Sequence, residues 1–194
     1  MNNSLFEKAL LFAIRSHSGS YRKGGNSPYI LHPMKVAAIV GRLTDDEEIL
    51  AAAVLYDTVE DTDATIEEIR DQFGERVAFL VASETEDKMK GIPASESWLD
   101  RKKRTLKMLK EAKDPGVRLI WFGDKLSNLR SFRKMQISEG PRMWENFNQR
   151  DPRKQRWYYE RVLEQLQEYK DEPAWREYNM LLGVIFDEQG GEKE

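Results

Sequence analysis

Residues 51 to 62, Ala-Ala-Ala-Val-Leu-Tyr-Asp-Thr-Val-Glu-Asp-Thr, are the stretch on which the fold turns. A small, apolar run suited to a buried helix becomes acidic within a few positions. Asp57, Glu60 and Asp61 stand at i, i+3 and i+4, so on a continuous helix from about Asp45 to Thr62 they share one face. They also fall at its C-terminal end, where the macrodipole disfavours negative charge by roughly 0.3 to 1 kcal/mol per group. A cationic partner is therefore expected beside them.

Outward from this helix the period stays helical. Leu5, Phe6, Ala9, Leu10, Ala13 and Ile14 give a first helix, and a second opens around His32 and Pro33 and runs through Val36, Ile39, Val40 and Leu43. Between them, residues 18 to 28 are rich in Gly, Ser and Asn and read as a loop. Downstream, Thr65 and Glu68 form a capping-box pattern, Gly74 marks a stop, and Val77 to Val81 suggest another helix. Residues 88 to 97 read as a connecting loop. Residues 98 to 112 read as a helix with an apolar line of Leu99, Leu106 and Leu109, and its basic run Arg101 to Arg104 as a solvated face. Val117 to Trp121 fit a buried helix or a strand equally well, while residues 153 to 169 and 174 to 186 read as helices. The expected architecture is all-α, with a single domain over residues 1 to 186 and a disordered tail over 187 to 194.

At 194 residues the chain can bury about 70% of its unfolded surface, so it needs no staple. A formal charge of −3 gives no whole-molecule reason to bind nucleic acid, so an anionic ligand must be held locally. The absence of cysteine excludes disulfides and thiol chemistry and fits a cytoplasmic protein. No apolar run approaches about 18 residues, so no membrane span is expected. The late aromatics Trp144, Trp157, Tyr158 and Tyr159 read as core or interface. They permit a dimer and leave the oligomeric state open.

Three polar residues are surplus to such a core. His32 opens the second helix, Asp57 ends the third, and Asp124 follows an apolar run far down the chain. Each alone has a structural explanation, as a helix-start residue, an exposed acid and a cap. Together, imidazole and carboxylates form a donor set suited to Mn²⁺, Fe or Zn²⁺.

The motifs Arg22-Lys23, Pro28-Tyr29-Ile30-Leu31-His32-Pro33, Leu55-Tyr56-Asp57-Thr58-Val59-Glu60-Asp61-Thr62, Thr65 to Ile69, Phe73-Gly74 and Asp124-Lys125-Leu126-Ser127-Asn128-Leu129 occur in an order that resembles the RelA/SpoT-type alarmone hydrolases, small stand-alone members of the HD-domain superfamily. The resemblance runs from about residue 5 to 130 and more weakly to Tyr158. It implies an HD-type helical bundle with a metal site between helices. It also implies a guanosine nucleotide such as ppGpp as partner and removal of its 3′-pyrophosphate with Mn²⁺ or another divalent metal. His32, Asp57 and Asp124 match metal ligands, and Glu60 and Asp61 the acidic pair that orients or deprotonates the attacking water. Arg22, Lys23, Lys125, Asn128 and Tyr158 match substrate-binding positions. No synthetase-type segment is read in these residues.

The chain departs from that pattern at one ligand. Tyr56 stands where the family carries the histidine of its adjacent His-Asp pair, and a phenol with an ordinary pKa near 10 is a poor substitute for imidazole. His17, the other histidine of the chain, is the sole imidazole available as a replacement, but the resemblance places it where relatives often carry histidine without a ligand role, so water or Tyr56 itself is the expected fourth ligand. Two readings follow. One is a metal-dependent phosphohydrolase with a degenerate motif and a weakened metal; the other is a metal-poor nucleotide-binding, regulatory domain. Retention of Glu60 and Asp61 favours the first, because three clustered carboxylates without a cation repel phosphate. The loss of the histidine favours the second.

Overall fold

The computed structural model describes residues 4–22, 26–85, 91 and 93–187. Among them the secondary structure is helical, with one isolated bridge between Tyr21 and Pro28 and no strand. None of the helices is long and apolar enough to cross a membrane. The chain groups into two compact units, residues 1–86 with 113–124 and residues 87–112 with 125–194.

The first unit is organised around α3, Glu47–Leu55, which packs on α1 (Leu5–Ser16), α2 (Leu31–Val40) and α6 (Glu75–Glu84). Residues Ala51 to Leu55 are all fully buried, so this helix is apolar around its whole circumference, as a core helix must be. Its three alanines let neighbours approach closely, and Ala9 and Ala13 of α1 present the same small surface at i, i+4. Full burial of Leu55 contributes about 1.5 to 3 kcal/mol. The helix starts are well capped. Ser4 and Glu7 satisfy each other's amides at 3.2 and 2.8 Å, and Thr65 and Glu68 do the same at 3.2 and 2.9 Å at the start of α5, Ile66–Phe73. Gly74, at φ 93°, then turns the chain into α6, a conformation L side chains avoid.

The expected single helix through residue 62 is broken. Helix α3 ends at Leu55, Tyr56 and Asp57 form a turn, and a four-residue helix α4, Thr58–Asp61, follows. Asp57 is therefore the residue preceding α4, and Glu60 and Asp61 lie in a first turn. The break puts Asp57 between two helices and leaves Glu60 and Asp61 on a single turn, where no long helix supplies a macrodipole. Thr62 closes α4 by donating its hydroxyl to the carbonyl of Thr58 at 2.7 Å.

The segment from Val117 is helical. It belongs to α8, Pro115–Glu139, a helix of 25 residues whose first part lies in the first unit and the remainder in the second. Its glycines set how near it comes to its neighbours. A Cβ at Gly123 would lie 2.9 Å from Val40 Cγ2, 3.0 Å from Val36 Cγ1 and 3.1 Å from the Val36 carbonyl. Only glycine fits this crossing with α2, and the crossing carries Asp124 to His32. Arg76 fastens another corner, donating to Asp46 and Glu48 at 2.7 and 3.0 Å and to Asp114 at 2.9 Å.

The second unit contains α7 (Ala94–Glu111), the rest of α8, α9 (Pro152–Glu164) and α10 (Pro173–Phe186). Phe132, Trp144, Tyr159, Tyr178 and Phe186 are buried together, and the Tyr178 hydroxyl donates to the Tyr159 carbonyl at 3.0 Å. In α7 the buried line is Trp98, Thr105 and Leu109, whereas Leu99, expected in the core, is 40% exposed. This helix begins at Ala94, inside the expected connecting loop, and residues 88–90 and 92 of that loop lie outside the described residues. The helix expected over residues 153 to 169 stops at Glu164. Of the expected tail, Asp187 pairs with Arg156, and residues 188–194 lie outside the described residues.

Candidate active site

His32 is the second residue of α2 and Asp124 sits in α8, 92 positions later; both side chains are buried. His32 Nε2 faces Asp124 Oδ1 at 3.1 Å, a hydrogen bond when that nitrogen carries the proton. The Tyr56 hydroxyl donates to the same Asp124 oxygen, also at 3.1 Å. Burial, followed by the negative charges of Asp124 and Asp57, holds the Tyr56 pKa well above its ordinary value, so the group stays a neutral phenol.

Asp57 faces the other histidine. His17, which ends α1, is 3% exposed, and its Nε2 lies 3.3 Å from Asp57 Oδ1. The contact lacks the direction of a hydrogen bond. Both ring nitrogens of His17 and both carboxylate oxygens of Asp57 are buried with no hydrogen bond of ordinary geometry. Such groups cost about 1 to 3 kcal/mol each when nothing satisfies them. Tyr29 stacks on the His17 ring at 4.9 Å between centroids and donates its hydroxyl to Asp61 Oδ2 at 2.7 Å. Burial, then the charge of Asp57, then the bond to Asp61 raise the Tyr29 pKa far above the usual phenol range. The Arg22 guanidinium lies 5.5 Å from the same ring. Glu60 is half-buried on α4, and Lys23 lies outside the described residues.

Two pairs, His32 with Asp124 and His17 with Asp57, thus stand in the core of the first unit. Tyr56 lies in the field of both aspartates. Among the described residues, no three His, Asp or Glu side chains are gathered as a ready-made metal cluster. The donor types nevertheless fit a divalent ion of the Mn²⁺, Fe or Zn²⁺ kind, and the buried Asp57 carboxylate, whose oxygens make no hydrogen bond of ordinary geometry, is a group such an ion would satisfy.

The remaining predicted residues belong to the second unit. Lys125, buried on α8, holds its ammonium 5.7 Å from the centre of the Tyr158 ring, and Lys102 places its own at 4.9 Å. Tyr158 also meets Trp98 edge to face at 6.0 Å, and Asn128 is half-buried one turn beyond Lys125. Lys102 was not singled out by the sequence reading, which took its basic run for a solvated face. Lys103 and Arg104 are indeed exposed, but residues 98, 102, 105 and 109 share the inner side of α7. A separate cavity of about 630 Å³, lined among others by Ser95, Glu145, Gln149 and Lys154, includes none of the predicted residues.

Comparison with known proteins places this architecture. Residues 9–150 match the model of the HD-domain family, and the chain belongs to that family. It is 40% identical over 125 residues, 64% of its length, to an Aquifex aeolicus protein named guanosine-3′,5′-bis(diphosphate) 3′-pyrophosphohydrolase. It is 31% identical over 98% of its length to the GTP pyrophosphokinase rsh of Brucella ovis. The chain spans 17% and 26% of these two relatives. Among solved structures, it is similar to a metazoan ortholog of SpoT described as hydrolysing ppGpp, with TM-score 0.69, 27% identity and 98% of both chains covered. A Listeria monocytogenes EGD-e protein is similar at TM-score 0.69 and 34% identity, with 80% of this chain and 99% of that one covered. The resemblance to RelA/SpoT-type hydrolases, read from the ordered motifs, is borne out.

Proposed function

We propose that this chain is a metal-dependent phosphohydrolase that removes the 3′-pyrophosphate of guanosine tetra- or pentaphosphate, working with a degenerate HD motif. The observation that carries this reading is the meeting of His32 and Asp124 at 3.1 Å in the core of the unit that also buries Asp57, on the turn before α4. The names of the relatives support the substrate class. His32, Asp57 and Asp124 would hold a divalent ion, Mn²⁺ by resemblance. When bound, that ion lowers the pKa of water and offsets the charge of the phosphoryl oxygens. The chain's own residues do the rest. Glu60, half-buried beside the turn, takes the proton of the attacking water, and Asp61, fixed by the Tyr29 hydroxyl, orients that water. Arg22, next to Tyr29, offers a cation to phosphate, and the resemblance gives Lys23, Lys125, Asn128 and Tyr158 to substrate as well.

The test is release of pyrophosphate from guanosine tetraphosphate with and without Mn²⁺. Wild type is expected to turn over with Mn²⁺, and Asp57→Ala to lose at least 100-fold in kcat/KM. Absence of Mn²⁺-dependent release from folded wild type would remove this reading.

A second reading has one specific observation in its favour. The Tyr56 hydroxyl occupies the Asp124 oxygen that a metal would need, so the site can also persist as a metal-free hydrogen-bonded network in a nucleotide-binding domain. Calorimetry would show tight nucleotide binding in chelator with no product formed. Tyr56→His would then add both metal and turnover.

A further inference from the structure

We infer that the cavity of about 630 Å³ in the second unit is a binding site for a small organic phosphate, of the sugar phosphate or nucleotide class, held by the open start of α7, the Gln149 amide and the cations Arg150 and Lys154. It shares no residue with the candidate active site and does not depend on the hydrolase reading.

The donors come from separate parts of the unit. Helix α7 runs for 18 residues and starts without a side-chain cap, because the residue before it is Pro93. The amides of Ala94 and Ser95, two residues that line the cavity, have no acceptor among the described residues. Such first-turn amides, at the positive end of the macrodipole, attract an anion. Gln149, on the loop before α9, is only 9% exposed. Its carbonyl accepts from Gln155 Nε2 at 2.9 Å and its Oε1 from the Asp151 amide at 3.0 Å, which fix the residue. Its Nε2 donates to nothing among the described residues and is left for the cavity that the residue lines. An amide held at its oxygen keeps two N–H donors for a ligand.

The charges agree. Arg150 and Lys154 are exposed and form no ion pair among the described residues, and Asp151, which feels Lys154, is paired with Arg153. Of the lining residues, Glu145 alone carries a carboxylate. Two cations against one anion favour a phosphate, and Glu145 favours one whose carrier also brings a hydroxyl or amino donor. The volume is in the range of small-molecule sites, larger than inorganic phosphate alone would fill.

The test is a nuclear magnetic resonance titration of the whole chain in chelator, with ribose 5-phosphate, inorganic phosphate and ribose as probes. Ribose 5-phosphate is expected to shift the Ala94 and Ser95 amides and the Gln149 side-chain amide saturably. Inorganic phosphate should bind more weakly, and ribose not at all. Arg150→Ala and Lys154→Ala, both at exposed positions, should each weaken binding about 10-fold, as loss of a charged hydrogen bond does. Gln149→Glu keeps the acceptor for the Asp151 amide and replaces the donor with a negative oxygen, so it should weaken binding by about 10-fold or more while the Asp151 amide signal stays in place. No saturable shift at these signals, ribose binding as well as its phosphate, affinity unmoved by all three variants, or shifts confined to Lys125 and Asn128 would each overturn the site. Inorganic phosphate binding as tightly as ribose 5-phosphate would overturn the assigned ligand class.

Discussion

Tyr56 is the residue we propose to stand in place of a metal-binding histidine, and its surroundings give that proposal physical content. Its phenol donates to Asp124 Oδ1, so a buried carboxylate has a partner without a cation. Tyr56→Phe removes that donor while preserving the ring. The expected cost is about 1 to 2 kcal/mol of stability in chelator, measured by urea unfolding. An unchanged midpoint would mean that the bond contributes nothing. At this scale the sequence was informative about residue types and mute about partners. His32, Asp57 and Asp124 stood out because a helical core does not need them. The pairing of Asp57 with His17 was hidden, since nothing in a one-dimensional pattern brings residue 17 to residue 57. The imidazole of His17 stands 3.3 Å from Asp57 Oδ1.

Among the elements, α3 and α8 do most of the positioning. The buried run 51 to 55 was legible as a helix from its small apolar residues, but its end was not. Period alone carries the pattern through residue 62, whereas the structure turns at Tyr56 and Asp57. The crossing of α8 on α2 was equally unreadable, because a helical glycine in sequence looks only like a weak point. Gly123→Ala tests that crossing. With Val36 and Val40 at 3.0 Å or less from the added carbon, overpacking is expected to cost about 1 to 3 kcal/mol in thermal or urea unfolding. Mn²⁺ affinity should fall with it, as Asp124 is pushed from His32. Stabilisation, as for an ordinary exposed helical glycine, would contradict the close approach.

Arg76 acts between elements. Its guanidinium holds the Asp114 carboxyl below the usual carboxylate range; at Asp46, burial works upward but is outweighed by bonds from Arg76 and the Ile49 and Glu48 amides. Depressed carboxylates stabilise the fold above their unfolded pKa near 4, and that stability is lost as pH falls through the lower folded values. Arg76→Ala should therefore lower stability by about 1 to 2 kcal/mol at neutral pH, since one guanidinium serves three carboxylates. The gap from wild type in melting temperature should narrow below pH 4. A gap independent of pH would assign the effect to packing instead.

For the whole molecule, ion binding and folding are linked. If Mn²⁺ binds the folded chain alone, stability rises by about 2.7 kcal/mol at an ion concentration 100 times Kd. Calorimetric scans should show the melting temperature rising with Mn²⁺ and falling with chelator, and Asp57→Ala should abolish the response. A flat response in wild type supports the metal-poor reading. The all-helical class was plain from period and caps; the grouping of the chain into two units was not, because no linker composition marks it.

The long helix α8 adds a practical consequence. The boundary between the units falls between Asp124 and Lys125, in the middle of an unbroken run of helical turns. Cutting there would strip about four carbonyls of their partners on one fragment and about four amides on the other. Neither half can be cleanly dissected from its neighbour by shortening the gene, so domain-swap or fragment-complementation experiments must carry the helix whole.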